Sequence, residues 1–136
     1  MQIQLNDEQK LLREEVRRFA EEVVKPKAKH IDETGIFPRD TFAAAAEMGL
    51  TGVCVPEEYG GAGMDGVSYC LVIEELSRVC ATTGVIVSVN NSLVCDPLLK
   101  FGNDEQKRDV LAPLASGQKL VIYKDLITGG WYRQSY

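Results

Sequence analysis

Histidine is nearly absent from this chain: His30 is the only one among 136 residues. The cysteines Cys54, Cys70, Cys80 and Cys95 form no C-x-x-C pair, so the clustered ligand sets of a zinc site cannot be assembled and no metal ligands are assigned. Each cysteine sits among apolar neighbours, the pattern of free thiols used as small hydrophobes. His30 has no identifiable nucleophile partner, which removes a Ser/His/Asp arrangement. Long apolar runs are missing as well. Nothing approaches the roughly 20 residues that span a bilayer, and no membrane insertion is expected. The N-terminus carries Gln2, Gln4, Asn6 and Asp7 in place of a basic and then apolar leader, so a soluble cytoplasmic protein is expected. Positive charge is not in excess either. Fifteen basic against 20 acidic side chains give a net charge of −5, which argues against a nucleic-acid or anionic-membrane surface.

What is present is one domain's worth of chain, 45% hydrophobic and 26% charged, able to bury a real core. Asn6 with Gln9 is a capping-box pattern with Asp7 and Glu8 in the first turn. Leu12, Val16, Phe19 and Val23 then repeat on one helical face, with Glu14–Arg18 and Glu21–Lys25 as i,i+4 pairs and Pro26 as the expected end or kink. Lys25, Lys27 and Lys29 complement the helix C-terminus. A second helix is expected from Pro38 or Arg39 to Met48, closed by Gly49.

Residues 49–66 carry six glycines, with Val53–Val55 as a short strand or extended piece. Gly61, Gly63 and Gly66 satisfy the spacing of a dinucleotide fingerprint, but no βαβ pattern surrounds them. Glu57 and Glu58 are read as solvated loop residues. A third helix, about Val67–Ala81, is apolar nearly all round. Its adjacent Glu74 and Glu75 point about 100° apart, so they form no acid/base dyad and meet solvent or an arginine such as Arg78. Thr82-Thr83-Gly84 reads as a break.

Val85–Leu99 is β-branched at its start but also fits a buried helical face, and periodicity leaves both open. Its Ser88, Asn90, Asn91 and Ser92 are either bonds to backbone or polar contacts of a pocket wall. Asn103 with Gln106 starts another helix, with Val110, Leu111 and Leu114 on its apolar face and Ser116-Gly117 as its stop. Residues 121–136 differ in composition, holding Trp131 and three of the five tyrosines; Val121–Tyr123 reads as the start of a strand and Thr128-Gly129-Gly130 as a turn.

Six segments in order carry a resemblance. They are L-N-D-E-Q-K-L-L-R-E-E-V-R-R-F-A at 5–20, M-G-L-T-G-V-C-V-P-E-E-Y-G-G-A-G-M-D at 48–65, V-I-E-E-L-S-R-V-C-A-T-T-G-V at 72–85, S-V-N-N-S-L at 88–93, F-G-N-D-E-Q-K at 101–107 and L-A-P-L-A-S-G-Q-K-L at 111–120. Together they resemble the N-terminal domain of acyl-CoA dehydrogenases, the fifth residue to Leu120, with S-V-N-N-S-L most like short-chain or branched-chain members.

The resemblance implies an all-α, up-and-down bundle of about five to six helices with the glycine-rich loop between the second and third. It makes 1–120 the family domain and 121–136 a non-family tail. It also implies a buried helix over Val85–Leu99, with Ile86, Val89, Asn90 and Leu93 lining the acyl pocket. Members of the family are FAD enzymes that take acyl-CoA to trans-enoyl-CoA. A glutamate removes the α-proton, the β-hydride passes to the flavin, and the electrons go to an electron-transfer flavoprotein.

The middle β-domain and C-terminal bundle, which carry the base and complete the flavin site, are not matched by these residues. No residue is therefore assigned as catalytic or as holding FAD, and the chain alone is expected to be inactive. An exposed domain interface implies self-association. The alternative is a non-enzymatic, stand-alone helical module that binds a ligand or partner.

Overall fold

The computed structural model describes residues 4–120, all helix, turn and loop with no strand among the described residues. The expectations placed on the 121–136 tail lie outside the described residues. Five rods make up the bundle, at 7–34, 39–47, 66–79, 81–101 and 104–115.

The first rod is α1 (Asp7–Phe19), a π-helical turn (Ala20–Val24) and α2 (Lys25–Thr34). Its capping box is formed in full. The Gln9 backbone N–H donates to Asn6 Oδ1 at 2.8 Å, and the Asn6 N–H donates to Gln9 Oε1 at 3.2 Å. Glu21 pairs with Lys25 at 2.6 Å, while Arg18 turns to Glu15 in place of Glu14. Lys27 and Lys29 pair with Asp40 and Glu33. Pro26 does not end the helix. The Lys25 N–H reaches back five residues to the Ala20 carbonyl, so the wider turn takes up the register just before the residue that has no N–H to give. The rod runs on to Gly35, which closes it at φ 64°.

α3 (Arg39–Glu47) follows and ends at Gly49, φ 74°. The glycine-rich segment is compact. Two 3₁₀ turns, Leu50–Gly52 and Glu57–Tyr59, flank Val53–Val55, which is turn and bend, with Val53 at φ −54° and ψ −48°, in place of the expected short strand or extended piece. The backbone there is folded back on itself: Ala62, Gly63 and Met64 N–H groups donate to the carbonyls of Gly52, Val55 and Val53 at 2.9, 2.8 and 2.8 Å, an irregular set that no strand ladder supplies. Gly61 is needed for close approach, since a Cβ there would lie 2.1 Å from the Val55 carbonyl oxygen.

α4 (Gly66–Val79) is capped by Asp65, whose side chain accepts from the Ser68 N–H at 2.7 Å. It is buried along Ser68, Leu71, Val72, Glu75 and Leu76, whereas Val67 and Cys70 are exposed, so its apolar residues are not covered all round. Cys80 alone, with φ −153° and ψ 102°, separates it from α5 (Ala81–Val89). Thr82-Thr83-Gly84 therefore lies inside a helix. Gly84 serves packing: a Cβ there would lie 2.1 Å from Ser77 Oγ, so α4 and α5 meet too closely for a side chain.

The rod continues through a π-helical turn (Asn90–Cys95) into α6 (Asp96–Phe101), and the last rod is α7 (Asp104–Gln106), a π-helical turn (Lys107–Leu111) and α8 (Ala112–Ala115). The Asn103–Gln106 capping box is complete, and Ser116 and Gly117 (φ 72°) close the rod. Pro97 and Pro113 repeat the arrangement of Pro26. In each case the preceding residue, Asp96 or Ala112, donates to the carbonyl five back.

Two apolar cores result. Val16, Phe19, Val24, Val53, Val72, Leu76 and Val87 form one; Val55, Val94, Cys95, Leu111 and Leu114 form the other. Each fully buried aliphatic side chain contributes about 1.5–3 kcal/mol relative to exposure.

Candidate functional site

The rod 81–101 carries the four residues expected to line a pocket. Ile86 and Val89 are half-buried and Leu93 is 43% exposed, so these three present apolar surface outward. Asn90 is buried and turned to the protein interior. Its Nδ2 donates to the carbonyls of Thr51, at 2.6 Å, and Leu114, at 3.2 Å, while its Oδ1 has no protein partner.

The neighbouring Asn91 makes a fuller clamp. Its Nδ2 donates to the Leu50 and Val87 carbonyls at 2.9 Å each, and its Oδ1 accepts the Val53 N–H at 2.7 Å. The two asparagines thus bond to backbone, as one of the two sequence readings has it, but mostly to the backbone of other segments. They fix the start of the glycine-rich segment to the rod 81–101. Ser92 bonds only within its own rod, to the Ser88 carbonyl at 2.7 Å.

Tyr69 and Ser88 were missed as a pair. Their hydroxyls lie 2.8 Å apart, part-buried between α4 and α5 and beside Val89 in the chain. The only available signal was a lone serine in a β-branched run facing a tyrosine of the preceding helix.

Glu75 is the only buried carboxylate among the described residues, 2% exposed. Arg17 clamps it through two bonds, Nε to Oε2 at 3.0 Å and Nη2 to Oε1 at 2.6 Å, and Arg78 adds Nε to Oε2 at 3.2 Å. Arg78 also reaches Glu21 at 2.8 Å. The Arg17 bond, opposed by burial and reinforced by Arg78, holds the Glu75 carboxyl below its ordinary value. A carboxylate so stabilised is a poor proton acceptor, so Glu75 ties helices together and is unsuited to the role of a base. Glu57, Glu58 and Glu74 are exposed, as is His30. Among the described residues no group of three or more His, Cys, Asp or Glu is placed to hold a metal, and no helix is long and apolar enough to cross a membrane.

These residues together present outward apolar surface, a loop pinned by two asparagines and a small hydroxyl pair. Comparison with known proteins agrees in family and fold. Residues 6–118 match the family model described as acyl-CoA dehydrogenase, N-terminal domain. The short-chain specific acyl-CoA dehydrogenase of Clostridium acetobutylicum is 46% identical over 123 residues, which is 90% of this chain and 32% of that protein.

Two solved structures are similar over 88% of this chain and 32% of theirs. One, described as the electron transferring flavoprotein of Acidaminococcus fermentans, matches with a TM-score of 0.83 at 39% identity; the butyryl-CoA dehydrogenase of Megasphaera elsdenii matches with 0.79 at 33%. The chain thus spans about a third of the length of the relatives it matches. It belongs to the acyl-CoA dehydrogenase family, and what it holds of that family is the N-terminal helical domain.

Proposed function

We propose that this chain supplies one wall of the acyl pocket in an FAD-dependent dehydrogenase that oxidises short acyl-CoA thioesters between the α and β carbons and passes electrons to an electron-transfer flavoprotein. The observation that carries this reading is the outward apolar surface of Ile86, Val89 and Leu93 on a helix whose polar residues are already committed to the fold. Such a surface desolvates an acyl chain and keeps water from the reacting carbons. Asn90 and Asn91 set its position by holding 49–53 against it, and the Tyr69–Ser88 pair borders it.

The described residues do not by themselves fit a flavin. Asn6, Asp65 and Asn103 occupy their own helix N-termini, and Asn90 and Asn91 spend their N–H groups on carbonyls. In this reading the groups that meet the flavin and the base belong to the part of the relatives that this chain does not match, and the chain alone neither holds FAD nor turns over. The exposed Leu11, Ile36, Val85 and Phe101 then belong to interfaces with that part, and the isolated chain self-associates through them in a soluble, cytoplasmic setting.

A domain exchange tests the proposal. Residues 4–120 replace the matching segment of the Clostridium enzyme, and butyryl-CoA oxidation is followed with an artificial electron acceptor. The exchanged enzyme is expected to stay active. Leu93→Ser in it is expected to raise KM for butyryl-CoA several-fold with a smaller change in kcat, as lost apolar contact does. An active exchange indifferent to Ile86, Val89 and Leu93 substitutions refutes the wall assignment. Saturable acyl-CoA oxidation by the 136-residue chain, with flavin absorbance, refutes its inactivity.

A further inference from the structure

α4 and the rod 81–101 meet in two different ways. At Gly84 the contact is close to backbone against backbone, since a Cβ there would lie 3.0 Å from Ser77 Cα. At Ser88, one turn on, it is made by the tip of a long side chain: the Tyr69 and Ser88 hydroxyls lie 2.8 Å apart, part-buried. The Tyr69 side chain also packs against the core that holds Val72, Leu76 and Val87. Its ring is thus fixed by packing on one side and by a hydrogen bond at its end.

Helical geometry places this pair at the edge of the outward apolar face. At about 100° per residue, Ile86, Val89, Val85, Ser88 and Gly84 follow one another around α5 in steps of about 60°, 40°, 60° and 40°. Val85 is 59% exposed, while Gly84 is buried against α4. The apolar face therefore runs from Ile86 across Val89 to Val85 and stops at Ser88. Neither hydroxyl has a further partner among the described residues. Two hydroxyls carry two hydrogens and the bond between them uses one, so one O–H is left over. Water satisfies it at a half-buried edge, and a methylene group does not.

We infer that Tyr69 and Ser88 are specificity-determining residues that limit the length of the acyl chain this face accepts. The inference rests on the reading of the face as a wall of the acyl pocket. A chain short enough to lie on Ile86, Val89 and Val85 gains from each methylene that it covers. A longer one reaches the hydroxyl pair. Each further methylene there strips water from an O–H that it cannot bond, or displaces a ring held in two places.

The test uses the exchanged Clostridium enzyme, with kcat/KM measured for butyryl-CoA and for octanoyl-CoA. Ser88→Ala and Tyr69→Phe each remove one hydroxyl and leave the ring and the helices in place. Each is expected to raise the octanoyl-to-butyryl ratio about tenfold, the lower end of what one methylene is worth in an apolar pocket, chiefly through KM for octanoyl-CoA. Ser88→Thr keeps the hydroxyl and is expected to keep the ratio of the unsubstituted exchange. Either hydroxyl variant decides the matter if the other folds poorly. A role confined to holding α4 against the rod lowers both thioesters together, so an unchanged ratio overturns the inference. So does a ratio that Ser88→Thr raises as far as Ser88→Ala. Leu93→Ser tells the two layers apart. Where it raises KM for butyryl-CoA and the ratio stays fixed in the hydroxyl variants, the wall stands and the length limit falls. Where it leaves that KM unchanged, or the unsubstituted exchange oxidises neither thioester, the wall reading falls and takes the inference with it.

Discussion

Replacing Asn91 with alanine releases the glycine-rich segment from the rod 81–101. In the native chain its amide satisfies three backbone groups: the Val53 N–H at 2.7 Å and the carbonyls of Leu50 and Val87 at 2.9 Å each. Val87 loses little, because its carbonyl also accepts the Asn90 N–H. The Val53 N–H and the Leu50 carbonyl belong to residues 1% and 2% exposed, so both are left buried without that partner. An orphaned buried group costs about 1–3 kcal/mol, and water entering the vacated space recovers part of it. Asn91→Ala is therefore expected to cost about 3 kcal/mol. Urea unfolding of the 136-residue chain, followed by far-ultraviolet circular dichroism, measures this as a lower midpoint with an unchanged slope. Ser92→Ala, one residue on, removes a bond on an exposed side chain and is expected to stay within about 0.5 kcal/mol. A cost below about 1 kcal/mol for Asn91→Ala, or equal costs for the two variants, refutes the view that this side chain holds the glycine-rich segment.

Glu75→Gln is expected to cost about 1–2 kcal/mol at neutral pH, a modest figure because Arg17 and Arg78 remain half in water. The native Glu75 carboxyl lies below its ordinary 4.5, so the stabilisation is complete above that value and is lost as pH falls through the lower folded one. Stability curves between neutral and acid pH check this, since the glutamine variant should lack that part of the acid limb; parallel curves would contradict it. Gly61→Ala brings a Cβ within 2.1 Å of the Val55 carbonyl oxygen and 2.6 Å of that of Gly52, and is expected to cost about 2–3 kcal/mol as overpacking. Gly66→Ala meets nothing within 4 Å and is expected to be neutral or slightly stabilising, so thermal melts of the pair should diverge.

The rods were legible wherever a cap was written in neighbouring residues. Asn6–Gln9 and Asn103–Gln106 act within one turn, and positive-φ Gly49 closes the second helix for equally local reasons. What escaped depends on distant parts. Gly84 looks like a breaker until Ser77 of the packed helix is seen against it. Arg17 and Glu75 stand 58 residues apart, so no helical spacing pairs them. The β-branched run 85–89 favours a strand by propensity, and packing on α4 makes it a helix. At the site, Ile86, Val89 and Leu93 were marked through a resemblance, whereas the commitment of Asn90 to Thr51 and Leu114 follows from tertiary geometry that periodicity does not encode.

The three π-helical turns also govern how this chain can change. One extra residue in a helix rotates everything beyond it by about 100°, so each turn re-aims the side chains that follow. Deleting a residue from Ala20–Val24 would restore the four-residue register and drive the Pro26 ring into the carbonyl four positions earlier. Substituting Pro26 first would remove that obstacle while the wide turn still stood. The order of the two changes thus decides whether the intermediate folds, and the same holds at Pro97 and Pro113. Turn and proline behave as one heritable unit at each of the three places, open to loss in two steps taken in one direction only.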